Sequence, residues 1–427
     1  MSLFASLRVR NYRLFASGQV VSLTGTWMQR VAQDWLVLQL SHNSGTAIGI
    51  TTGLQFLPML LFSMFGGVLA DRYSKRKLLV VTQAASGLTA LALGLLDVAG
   101  LVTLWHVYLI AFLLGVASSV DTPTRQAFVS ELVGQEHLGN AIGLNSATFN
   151  TARIIGPAVA GVLIDPIGTG PVFLINAGSY LAVIAMLLVM RDSELVLGKR
   201  ASRGPGQIRA GLRYVRKRPD LMLPMVLAGV IGTFGFNFQM TTALLAKETF
   251  HRSASGYGLL STLLAVGSLG GALLAARRTR SRRALLLGSA IGFGVLTMAA
   301  GFMPTYVWFA VALVPTGVLA LTFSTAANSA VQMGSSPAMR GRVMALYMLV
   351  FAGGTPIGAP LIGWVAERMG ARWSLISGGA VTIVTGLVAT IVVARMSNMR
   401  VVAHVRPRPS LHLLPVRDSV YDEVRSA

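Results

Sequence analysis

The sequence contains no cysteine, which excludes disulfides, thiol nucleophiles and thiolate metal sites. Charge is scarce as well: Asp, Glu, Lys and Arg make up 12% of the 427 residues, and only 15 of them are acidic. That is far too little to clothe a water-soluble protein, whose chain is ordinarily about one quarter charged. The six histidines, at 42, 106, 137, 251, 404 and 412, fall at loops, span ends or the tail without a metal-ligand spacing. No nucleophile elbow or phosphate-binding loop is present either, so no metal or cofactor is expected and a membrane-embedded enzyme is the weakest functional reading.

What the chain has in abundance is apolar length. It is 53% hydrophobic, with a mean hydropathy of +0.65, and twelve runs stand out at roughly 14–40, 46–70, 78–98, 105–127, 138–164, 172–190, 221–246, 256–276, 284–303, 306–333, 341–366 and 373–394. About twenty residues at 1.5 Å each span a hydrocarbon core of roughly 30 Å. The runs do not alternate in polarity, as strands of a membrane barrel would. The expected fold class is therefore all-α and polytopic, with twelve transmembrane helices.

The charges that remain are placed unevenly. Of 36 Lys and Arg, 30 fall on the side that carries both termini, and this bias assigns both termini to the cytoplasm. The formal charge of +21 thus reports topology, with attraction to anionic lipid headgroups and no expectation of nucleic acid. The N-terminal MSLFASLRVRNYRLF shows no cleavable signal, so the first span is expected to be retained.

A polar stretch at 191–219, rich in Gly, Ser and Arg, divides the spans six and six. We read 1–190 and 220–396 as two six-helix bundles, 191–219 as a basic cytoplasmic linker with a surface helix at 207–218, and 397–427 as a poorly ordered cytoplasmic tail. The halves repeat. Gly139, Leu144, Phe149, Gly156, Gly161 and Gly168 meet Gly341, Leu346, Phe351, Gly358, Gly363 and Gly370 in one ungapped register, offset by 202 residues. Parallel six-helix repeats place a substrate site near the midplane between them.

Between the second and third spans lies GVLADRYSKRK, from Gly67 to Lys77. It resembles G-x-L-A-D-R-x-G-R-R, the loop signature of the major facilitator superfamily, through Gly67, Leu69, Asp71, Arg72 and Arg76, with Ser74 and Lys75 departing from it. A weaker echo in the second half, from Gly271, has Ala275 at the place of Asp71. TWMQRVAQDWLVLQL, DTPTRQAFVSELV and NAIGLNSATFNTARIIGPAVAG further resemble the bacterial drug:proton antiporter group that includes the enterobactin exporter and macrolide efflux proteins. The resemblance implies two pseudo-symmetric bundles and a multi-pass protein of the bacterial inner membrane, working as a monomer. It also implies alternating-access export of an amphipathic drug or siderophore-like metabolite, driven by the proton gradient. An importer or facilitator of the same fold is the alternative.

Site expectations follow. Gly67, Asp71, Arg72, Lys75 and Arg76 are expected to form a gating latch, Asp71 against the start of the eleventh helix near Gly341, since a helix N-terminus attracts an anion. The loop cations are expected to reach Asp121, and Arg125 belongs to the same group. The Gly156, Pro157 and Gly161 segment resembles the antiporter signature, with Ala152 replacing its first Gly and Ala160-Gly161 standing at its final pair. The Arg usual on the fourth helix of antiporters is replaced by Ala111, leaving Arg153 or Arg125 to substitute. Charges inside spans are costly and hence functional candidates. Asp34 is read either as the proton carrier or as the permanent partner of Arg30, one turn away. Arg153 is read as an anion ligand or, preferably, as neutralising Asp34 or Asp121. Gln33, Asn145, Asn237, Gln239, Asn328 and Gln332 are the polar candidates for the cavity wall.

Overall fold

The computed structural model describes residues 4–196, 207–276, 283–337, 339–396, 399–404 and 410–415. Its first half comprises α1 (Arg10–Leu40), α2 (Gly45–Arg72), α3 (Lys75–Val98), α4 (Leu104–Ile167) and α5 (Thr169–Val189). After the short α6 (Gln207–Arg216) come α7 (Pro219–Phe234), α8 (Phe238–Leu244), a π-helical turn at Leu245–Thr249, α9 (Ala254–Ala276), α10 (Arg283–Gly301), α11 (Tyr306–Gly334), α12 (Arg340–Gly353), α13 (Thr355–Met369) and α14 (Ala371–Met396).

Among the described residues ten helical stretches are long and apolar enough to cross a membrane. The 64-residue α4 is one of them and is long enough to cross twice. It breaks at Gly134, whose φ of +65° only a residue without Cβ adopts cheaply. Helix α1 is absent from the ten because Gln19, Gln29, Arg30, Gln33 and Asp34 lower its hydropathy, although 31 residues suffice to span. With α1 added and α4 counted twice, the fold has the expected twelve crossings.

Four crossings differ from a simple reading of their apolar runs. The fourth and fifth follow one another without an intervening loop, meeting at the Gly134 break, because FVSELVGQEHL contains good helix formers on both sides of that glycine. The seventh is interrupted at 235–237 (GFN), and the eleventh at Gly354, where Pro356 supplies no backbone donor. Within the tail, Met399–His404 pairs antiparallel with Ser410–Pro415, Val401 and Val402 favouring a strand. Residues 197–206 of the linker, 277–282 of the second-half loop and 416–427 lie outside the described residues.

In the first half α2 and α1 pack on α4, and α3 on α5; in the second, α9 packs on α11, α10 on α14, and α7 on α12. The halves meet along two seams, α2 with α13 and α4 with α9. Large apolar side chains such as Trp105, Val162 and Leu181 remain about two-thirds exposed. In a bilayer that exposure is to lipid and carries no penalty.

The linker is fastened at both ends. Arg76 Nη1 meets Asp192 at 2.5 Å and the Val196 N–H donates to the Glu131 carbonyl at 2.8 Å, holding the linker's start on the first half. At its other end Arg218 bonds Asp220 (2.8 and 2.6 Å), the Tyr214 hydroxyl (3.1 Å) and the Gly334 carbonyl (3.1 Å). These contacts tie α6 to the second half.

Candidate functional site

The two seams are closed at the end away from the linker. Glu367, near the end of α13, accepts from Ser44 Oγ (2.7 Å) and the Thr46 N–H (2.9 Å), so a second-half carboxylate caps the N-terminus of first-half helix α2. Asp165, near the end of α4, accepts from Ser253 Oγ (2.9 Å) and from the N–H groups of Ala254 (3.1 Å) and Ser255 (3.3 Å), capping α9 in return. Backbone donors at a helix start attract an anion, and both seams use that attraction.

Glycines let the backbones touch below these caps. A Cβ on Gly161 would meet Ala254 O and Ser255 Cα at 3.0 Å, and one on Gly49 would meet Ala359 O at 2.5 Å; Gly45 and Gly363 lie still closer to each other. Deeper in the molecule Thr262 Oγ1 donates to the Ile154 carbonyl at 3.2 Å. Toward the linker the seams part. Helix α12 meets α2 where Leu60 lies against Gly353, three turns from Asp71, while a Cβ on Gly139, Gly143 or Gly341 would touch nothing within 4 Å. Among the described residues, no contact joins the Asp71 loop to the start of the eleventh crossing near Gly341.

Asp34 sits at the meeting point of the halves, 4% exposed. Its Oδ2 accepts from the Tyr257 hydroxyl of α9 at 2.7 Å and from Gln239 Nε2 of α8 at 2.9 Å. The Tyr257 ring stacks on Trp35, with centroids 6.5 Å apart. Asp34 does not pair with Arg30 within 4 Å, although one helical turn separates them, because both donors come from across the interface. Sequence reasoning missed Tyr257: a tyrosine inside an apolar run carries no signal of its partner.

Arg30 and Arg153 point elsewhere. Their guanidinium carbons lie 4.7 and 5.7 Å from the centroid of the Trp27 ring. Trp27 fits there because residue 156 is glycine; a Cβ at that position would come within 2.5 Å of the Trp27 Cβ. Neither arginine forms an ion pair among the described residues, and Arg30 Nε is buried without a hydrogen-bond partner. Arg153, expected preferably to neutralise Asp34 or Asp121, pairs with neither among the described residues: Asp34 is engaged from the other half, and Asp121 within its own bundle. Trp27, Arg30, Arg153, Asn237 and Gln239 line a cavity of about 210 Å³ between the halves, with Phe56 and Phe238 among its apolar walls. Of the other polar candidates, Gln33, Asn145, Asn328 and Gln332 are not among its lining residues. Asn237 occupies the break before α8, its Nδ2 donating to the Thr233 carbonyl at 2.8 Å while Oδ1 is buried without a partner.

The loop cations do not reach Asp121. Lys75 Nζ bonds Glu131 at 2.6 Å, and Arg76, besides Asp192, donates to the Leu187 and Leu188 carbonyls at 2.6 and 2.8 Å. Arg72 is exposed. Asp121 lies deeper, where Thr82 Oγ1 (2.8 Å), Gln83 Nε2 (2.8 Å) and Arg125 Nε (2.9 Å) fill its oxygens, and Arg125 reaches on to Gln19. This network joins α1, α3 and α4 inside the first half.

Comparison with known proteins agrees with this architecture. A family model described as transmembrane secretion effector matches residues 1–418. The staphyloferrin A transporter of Staphylococcus aureus is 26% identical over 258 residues, covering 60% of this chain and 64% of that one. The enterobactin exporter EntS of Escherichia coli is 24% identical over 396 residues, covering 91% and 93%. Among solved structures, a bacterial homologue of the human lysosomal transporter Spinster, in an inward-facing and occupied conformation, superposes with a TM-score of 0.71 at 15% identity, covering 90% of this chain and 96% of that one. The POT family transporter PepTSo gives 0.73 at 13% identity, covering 91% and 98%.

Proposed function

Because the chain belongs to the transmembrane secretion effector family of major facilitator transporters, we propose that it exports an amphipathic organic compound across the bacterial inner membrane by proton-coupled alternating access. The observation that carries this reading is the one-sided closure of the seams: capped and glycine-packed at one end, parted at the linker end, with a cavity walled by both halves between them. With the linker and both termini in the cytoplasm, as the Lys and Arg bias requires, this conformation is inward-facing. Substrate enters from the cytoplasm; opening the Asp165 and Glu367 caps releases it outside. The loop from Gly67 to Arg76 then latches the cytoplasmic side in the opposite state. Similarity to an enterobactin exporter supports export over import.

Asp34 is the proton carrier in this scheme. Held by Tyr257 and Gln239 it bridges the halves as a carboxylate; protonated, it accepts these bonds less strongly, and the bridge loosens on the side where protons arrive. The driving force is the proton gradient, without a cofactor. Everted membrane vesicles test the proposal. Addition of substrate to respiring vesicles is expected to drive its uptake and dissipate the proton gradient; uptake without proton movement would reduce the protein to a facilitator, and absence of uptake would remove export.

A further inference from the structure

The central cavity carries a charge imbalance that its own residues do not settle. Arg30 and Arg153 both converge on Trp27, neither has a carboxylate within 4 Å among the described residues, and Arg30 Nε is buried without any acceptor. The nearest in-span acid, Asp34, already accepts two hydrogen bonds from the other half. The indole face attracts the two cations but supplies no hydrogen-bond acceptor in the ring plane of a guanidinium and does not cancel their charge. Two half-buried like charges at a cavity wall, one with a fully buried and unpartnered Nε, are best completed by an anion.

We propose that Arg30 and Arg153 form the anion subsite of the transported compound, which is an amphipathic organic acid. Its carboxylate, or an acidic group of similar shape, lies between the guanidiniums beside Trp27, and its apolar body lies toward Phe56 and Phe238. Guanidinium forks suit such a group because they present paired donors in a plane. Trp27 holds both arginines near one point, and the glycine at 156 holds Trp27. The inference rests on the transporter reading only for the word transported; the subsite is a statement about binding.

The test uses purified full-length protein in lipid nanodiscs and two probes of nearly the same shape, 2-naphthoate and 2-naphthamide, titrated calorimetrically against empty nanodiscs. The wild type is expected to bind the acid at least ~10-fold more tightly than the amide, the preference that a charge-assisted pair confers. Arg30→Gln and Arg153→Gln are each expected to erase that preference, and the Lys variants to retain part of it. The proposal is overturned if the wild type binds both probes equally or fails to bind the acid, or if both Gln variants keep the preference. Should a Gln variant fail to elute as a monodisperse species, the wild-type comparison and the Lys variants still decide. Binding needs no gradient, so failure of proton-coupled export in vesicles leaves this result standing, and intact export of neutral compounds would remove only the acid.

Discussion

Asp165 and Glu367 stand 202 residues apart, and each caps a helix belonging to the other half. The spacing is that of the internal repeat, so the fifth and eleventh crossings present their carboxylates at equivalent places to α9 and α2. Gly168 and Gly370, in the same register, end those crossings with φ of +79° and +100°. The same kind of contact thus serves twice, and the closure at the end away from the linker is held by two pseudo-symmetric contacts.

The caps set the balance between states. Replacing Asp165 by Asn or Glu367 by Gln is expected to weaken one cap by about 0.5–1 kcal/mol, allowing for solvent screening, and to shift the population toward outward-open roughly two- to five-fold. The double variant should shift it by about the product of the single effects. Accessibility of the cavity to an external thiol reagent, at a cysteine introduced at Thr52, reads this shift; unchanged accessibility in the double variant removes the caps from the gate.

Gly363 and Gly161 differ in how much room they have. A Cβ on Gly363 collides with the Gly45 backbone, whereas one on Gly161 meets its nearest atoms at 3.0 Å. Gly363→Ala is therefore expected to block outer closure and abolish transport while leaving expression intact, and Gly161→Ala to slow it partially. Equal transport rates in the two variants would contradict the close approach.

The twelve crossings, the two bundles and the repeat were legible in the sequence because apolar length and a constant offset are properties of the chain itself. The partners of individual charges were not. Asp34 is as close in sequence to Arg30 as a helical pair can be, yet its donors, Tyr257 and Gln239, lie more than 200 residues away. Lys75 likewise selects Glu131 over Asp121, a choice that depends on depth along the bundle, which spacing does not report. The Asp165 cap was readable in principle: sliding the repeat register onward from Gly161 sets it on Glu367.

Asp34→Asn preserves the shape of the side chain and removes its charge. Substrate counterflow is expected to persist and substrate-driven proton movement to vanish, measured in proteoliposomes with a pH-sensitive dye. Retained proton movement would pass the coupling role to another group.

The Asp121 network is a matter of stability. Asp121→Ala leaves Arg125 buried without its partner and is expected to cost on the order of 3 kcal/mol, seen as a fall in Tm. Adding Arg125→Leu should recover much of it. If the double variant is no more stable than the single, the cost lies in lost packing and not in the stranded charge.

Opposed motion of the two ends of the molecule is the most direct test of alternating access. Since the chain has no native cysteine, spin-label pairs placed at Gly139 and Gly341, toward the linker, and at Asn43 and Arg368, at the other end, report the two ends separately. The account predicts a long first and short second distance at rest, exchanging to a short first and long second under substrate and a proton gradient. Distances that stay fixed, or that lengthen and shorten together, would contradict it.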